Sequence, residues 1–132
     1  MKSLTKDNLE EFMNTYHNLH DRFITSVNYN TEASEIELLI NAFQSKNNDQ
    51  EFSEQNNIST ETQNIKLRMM FSDIVSCSIQ VSFPWELIKH ALFKNMILQD
   101  EELLCFANDE TNPSIYIISS KAAYEELALI SW

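Results

Sequence analysis

The sequence predicts an α+β domain: an antiparallel β-sheet of about six or seven strands, with an N-terminal and a C-terminal helix packed on it. Three observations carry this. Apolar residues alternate with polar ones in several short runs, as half-buried strands require. Turn-length gaps separate those runs, which is the pattern of an antiparallel meander. A stretch near each end of the sequence instead places apolar residues at helical spacing.

The first helix is expected over residues 5–18. Leu9, Phe12, Met13 and Tyr16 recur at i, i+3, i+4 and i+7 and form one stripe. Thr5 suits the N-cap, and Asp7, Glu10 and Glu11 suit the positive end of the helix dipole. A β-hairpin follows. Phe23, Val27 and Tyr29 alternate on its first strand, and Ile36, Leu38 and Ile40 on its return. Residues 44–63 hold only Phe52 and Ile58 as large apolar side chains. Such a polar segment buries too little to offset the entropy of ordering it, so a flexible loop is expected.

Beyond it, residues 65–71 and 74–81 read as two strands joined by a turn at Ser72 and Asp73, and Pro84 ends the pairing. Residues 85–91 have helical spacing and are expected to form a short helix or helical turn. A strand over 92–98, a turn at Asp100 and Glu101, and strands over 103–107 and 114–119 complete the sheet. Residues 120–129 are expected to form the closing helix, with Ser119 or Ser120 as N-cap and Ala123, Leu127 and Ile130 as its stripe.

The chain of 132 residues is expected to form a single domain around one core, and its 43% hydrophobic content is not that of a disordered chain. Twenty acidic against nine basic residues give a net charge of −11. Nucleic acid and anionic lipid surfaces are bound through Lys and Arg that displace counterions, so neither is an expected partner. Glycine is absent. That excludes the Gly-rich phosphate loop, the dinucleotide fingerprint and the nucleophile elbow, each of which needs Gly at a tight turn or close approach. Cys77 and Cys105 have no zinc or redox spacing. No run of apolar residues is long enough for a signal peptide or a membrane span. A cytoplasmic protein with reduced thiols and no cofactor is expected.

The densest group of possible ligands or acid–base residues is His17, His20 and Asp21. His-x-x-His at a helix end can bring two imidazoles to one metal ion. A structural reading is preferred: His17 favours the helix C-terminus, and Asp21 braces the turn into the strand. His90 is expected to pack beside its apolar neighbours. Asp100, Glu101 and Glu102 stand in a row, as do Asp109 and Glu110. Paired carboxylates in a cleft can cleave glycosides, but runs on turns are usually solvated. Cys77 is expected in the core. Trp85, Tyr116 and Trp132 offer the large amphipathic area favoured at protein interfaces. Together with Asp100, Glu101 and Glu102 they are the candidate partner-binding residues.

Leu19–His20–Asp21–Arg22–Phe23–Ile24, the return Ile36–Glu37–Leu38 and the strand end Phe71–Ser72–Asp73–Ile74 together resemble small, uncharacterised bacterial families with a His–Asp strand start. Some of these are grouped with immunity proteins of polymorphic toxin systems. Only His20 and Asp21 match by position. The resemblance implies a folded domain that acts by binding.

The expected function is therefore a non-enzymatic, acidic domain that binds a protein partner of basic character. Two alternatives are a small-ligand or metal-binding domain using His17, His20 and Asp21, and a homodimer built on a free sheet edge.

Overall fold

A computed structural model describes the backbone of residues 1–45, 62–80 and 86–129, and the side chains of 1–43, 64–80 and 86–127. Its strands are β1 (Lys2–Leu4), β2 (Arg22–Asn30), β3 (Glu35–Ser45), β4 (Thr62–Ile79), β5 (Glu86–Ile88), β6 (Leu92–Leu98), β7 (Glu101–Ala107) and β8 (Ile115–Leu129). One α-helix, α1 (Leu9–Thr15), and a single tight turn of helix over His17–Leu19 precede β2. All eight strands belong to one antiparallel sheet of order β5-β2-β3-β4-β8-β7-β6, with β1 paired to β8. The sheet curls into a half-barrel.

The curl follows from the connectivity. β5 and β6 lie at opposite ends of the strand order, yet only residues 89–91 join them. Those few residues span roughly 14 Å at full stretch, so the two edges must approach each other at that end. The trough faces α1. Phe12 packs its ring on Tyr16 (5.0 Å), Tyr124 (4.8 Å) and Phe93 (5.9 Å). Beneath them Ile36, Leu38, Ile40, Leu67, Met69 and Phe71 are fully buried on β3 and β4. The alternating apolar pattern of these strands is what fills the core.

The expected C-terminal helix is replaced by β8. Its Lys, Ala, Glu and Leu residues favour helix intrinsically, but propensity is worth tenths of a kcal/mol per residue. Strand pairing on both sides overrides it: β8 lies against β4 and β7 and also carries β1. Ala122 is then buried in the core and Tyr124 packs on Phe12 of α1, while Leu127 of the expected stripe is 48% exposed and Ile130 lies outside the described residues. Ser119 is not a cap but a buried strand residue, donating from Oγ to the Lys121 carbonyl at 3.0 Å.

Other expectations change similarly. Ser72 and Asp73 do not turn the chain: they lie within one continuous strand, β4, and a bulge at Val75 shifts its register with β8 between Ile74 and Ser76. The bulge turns Val75 outward to 49% exposure. Residues 86–88 form β5, not a helical turn, because they complete the edge beside β2. Gln44 and Ser45 pair with Gln63 and Thr62, so β3 and β4 extend into both ends of the expected loop. The rest of that loop, 46–61, lies outside the described residues. The N-terminal helix begins at Leu9, after a turn that returns Asn8 N–H and Leu9 N–H to the Thr5 carbonyl, both at 3.1 Å. Lys2–Leu4, to which the sequence assigned no element, form β1.

Without glycine, other residues occupy the left-handed region. His17, Asn18, Leu19, Asp21, Ser34, Asp73, Gln99 and Asp100 all have positive φ. Leu19 is the telling case: φ is 53° and the side chain is fully buried. Left-handed backbone costs a bulky residue ~1–2 kcal/mol, and burying leucine returns ~1.5–3 kcal/mol. Burial therefore holds the turn.

On the outer face Arg68 joins three strands. It bridges Glu37 of β3 and, at 2.8 Å, Glu125 of β8. Arg22 places its guanidinium 3.7 Å from the centre of the Phe43 ring. Among the described residues no helix is long and apolar enough to cross a membrane.

Candidate functional site

Two places gather the side chains that sequence singles out. The first is the junction where His20 and Asp21 lead into β2. Four residues in five from His17 to Asp21 have left-handed backbone, so the chain reverses sharply here. His20 then faces the link between β5 and β6. Its Nδ1 lies 2.7 Å from the Lys89 carbonyl, and its Nε2 lies 3.3 Å from the Asp21 carboxylate. The Nδ1 nitrogen must donate, since a carbonyl only accepts. The His20 ring stacks on His90 at 5.4 Å. Asp21 N–H donates to the Ile88 carbonyl at 2.8 Å, and Glu110 N–H to the His90 carbonyl at 2.9 Å.

The junction therefore ties β2 to the link that joins the two sheet edges. His90, expected to pack among apolar residues, is exposed and stacked on His20. No local spacing announces that contact, because the partners lie 70 positions apart. Among the described residues no group of three or more His, Cys, Asp or Glu is placed to hold a metal ion.

Asn108 completes this end of the molecule, and sequence alone marks it only as part of a loop. It is buried, and its amide donates to the Leu87 carbonyl and Ser114 Oγ, both at 3.0 Å. Its Oδ1 accepts from Ser114 N–H and Ile115 N–H, also at 3.0 Å. Ser114 also donates to the Glu86 carboxylate. All of the Asn108 side-chain bonding capacity is used in fastening β5 to the β7–β8 loop.

The second place is the far end of the β6–β7 hairpin. Leu98 pairs with Glu101, leaving a two-residue turn of Gln99 and Asp100 with φ of 54° and 67°. That is the geometry of a tight hairpin turn whose twist suits the strands. Asp100, Glu101 and Glu102 are exposed there. Beside them Ile97 is 67% and Leu98 44% exposed. Lys6 reaches Glu102 at 2.9 Å, which pushes the Lys6 ammonium up from its ordinary value.

Tyr116 is not part of that group. It sits opposite Ala107, six residues along β7 from Glu101, or ~20 Å at strand spacing. It packs instead on the outer-face cluster of Leu103, Cys105 and Ile118. The Cys105 thiol beside it, followed by partial burial, holds its phenol above the ordinary range. Trp85 and Trp132 lie outside the described residues. Cys77 is half-buried against the core, as its place on an apolar strand face implies.

A third feature escaped the sequence. A cleft of about 160 Å³ lies between β1, α1 and β8, lined by Lys2, Glu11, Thr15, Tyr16 and Glu126 among others. Tyr16 donates its hydroxyl to the Glu126 carboxylate at the cleft wall. Burial, reinforced by that bond, pushes the phenol far above the usual tyrosine value. A phenol held so firmly protonated is a structural donor, not a base.

No family model, curated protein or solved structure matches this chain.

Proposed function

We propose that the chain is a non-enzymatic, acidic protein-binding domain of the immunity-protein kind, and that it meets a basic protein partner at the hairpin end of β6 and β7. The observation that carries this is the grouping there of exposed Ile97 and Leu98 with exposed Asp100, Glu101 and Glu102. Protein interfaces combine an apolar centre with a polar rim. Rim carboxylates steer a cationic partner into place and set its rate of association. A net charge of −11 extends the same field over the molecule.

The test is capture by the tagged native chain in its host, with mass-spectrometric identification, beside a variant carrying Asp100→Lys and Glu101→Lys. The expected result is a single basic protein held by the native chain, released by high salt and associating more slowly with the variant. Specific capture of no protein, or a complex indifferent to both salt and charge reversal, overturns the reading.

A further inference from the structure

The two edges of the sheet are finished differently. β5 is only three residues long, and its outer side is fastened: Asn108 donates to the Leu87 carbonyl, and Lys89 N–H donates to the Asn108 carbonyl at 3.1 Å. β6 is seven residues long and pairs only with β7. Among the described residues no group bonds to its outer backbone edge.

Sheet edges are ordinarily blunted by proline, bulges, several charges or a covering segment. β6 has no proline, its register with β7 runs unbroken from Leu92 to Leu98, and its one charge is Lys94. Five of its seven residues are apolar, in a chain of net charge −11. An acidic surface repels its own copy. The edge strand that offers free backbone is thus one that lacks negative charge.

We propose that β6 is a self-association edge: two copies pair antiparallel through it about a two-fold axis at Asn95. Asn95 is the midpoint of the strand, so this axis matches all seven residues. Asn95 then faces its own counterpart, Phe93 faces Ile97, Leu92 faces Leu98, and Lys94 faces Met96. No two like charges stand directly opposite. With strands ~4.8 Å apart and ~3.4 Å per residue, Lys94 of one copy comes ~12 Å from Glu101 of the other at the backbone. Extended lysine and glutamate side chains span that distance. The single basic residue of the edge thus serves the acidic turn of its mate, and Ile97 and Leu98 lose part of their exposure. Pairing uses the backbone edge and needs no partner protein, but it covers part of Ile97 and Leu98, so the dimer and the complex proposed above compete for those two side chains.

The test is sedimentation velocity of the intact chain over a range of concentrations, with thermal unfolding as a check of folding. The native chain is expected to pass from monomer to dimer. Met96→Lys sets two lysines against each other twice per dimer and is expected to leave a monomer. Adding Lys94→Glu to it places a carboxylate opposite each introduced lysine and is expected to restore the dimer. Ile97→Asp, at a site 67% exposed in the monomer, is expected to raise the dimer dissociation constant at least tenfold without lowering the melting temperature. A native chain that is monomeric throughout, or a dimer indifferent to Ile97→Asp, overturns the proposal. So does a folded double variant that stays monomeric.

Discussion

The side-chain amide of Asn108 donates to the backbone carbonyl of Leu87 at 3.0 Å, joining the β7–β8 loop to the opposite edge of the sheet. Asn108→Ala would strip this bond and leave Ser114 N–H and Ile115 N–H without their acceptor. Each stranded buried group costs ~1–3 kcal/mol. A loss of about 2–4 kcal/mol in unfolding free energy is expected by urea titration. Asn108→Asp keeps both acceptor bonds but cannot donate to Leu87, and is expected to recover less than half of the loss.

Tyr16 supplies a prediction at alkaline pH. Its folded pKa is raised, by burial first and by the bond to Glu126 second. An unfolded tyrosine ionises near pH ~10. Below that pH neither state has lost the proton, and the stabilisation is whole. Above it the unfolded chain releases a proton that the folded chain retains, so stability falls as pH rises. Denaturation at about pH 8 and about pH 11 should show the native chain losing more stability than Tyr16→Phe does. At neutral pH the same substitution is expected to cost ~1–2 kcal/mol for the lost hydroxyl bond.

The hairpin turn of β6 and β7 has room for improvement. Gln99 and Asp100 both adopt positive φ, where Asn-Gly is the preferred pair. Gln99→Asn with Asp100→Gly is expected to raise stability by about 0.5–1 kcal/mol. Thermal unfolding measures it, and an unchanged or lower melting temperature contradicts the turn geometry.

Phe12 is the anchor of helix docking, since its ring touches Tyr16, Phe93 and Tyr124. Phe12→Ala is expected to cost about 3–5 kcal/mol. Amide exchange in α1 should accelerate more than in β3, which ladder bonds to β2 and β4 hold on both sides.

What sequence could and could not reveal divides along physical lines. The stripe of Leu9, Phe12 and Tyr16 and the alternation through Ile36, Leu38 and Ile40 are local patterns, and both fold as read. The hairpin of β6 and β7 was legible for the same reason. β8 was not, because the residues that decide its state are remote: Met69 and Phe71 on β4 fix the register of Tyr124 and Ala122. What reads as a turn at Ser72 and Asp73 is part of a continuous strand, because its pairing with the remote β8 carries through both residues. At the candidate site, His20 and Asp21 stood out by themselves, while His90 and Asn108 became meaningful only when the curl of the sheet brought them in. The acidic turn at Asp100–Glu102 was evident from charge alone. Its apolar neighbours Ile97 and Leu98 read as ordinary strand residues until their exposure was known.

The place of β8 in the sheet bears on how the protein is made. It is the last of the described strands, and it sits between β4 and β7 while also receiving β1. During synthesis the long β4 must wait, its outer ladder open, until β8 leaves the ribosome. Most of its partners are distant in sequence, which makes folding slow and leaves apolar strand surface bare for the interval. The nascent chain is accordingly expected to aggregate in that interval unless its extended hydrophobic segments are shielded, and truncation within β8 is expected to make the exposure permanent.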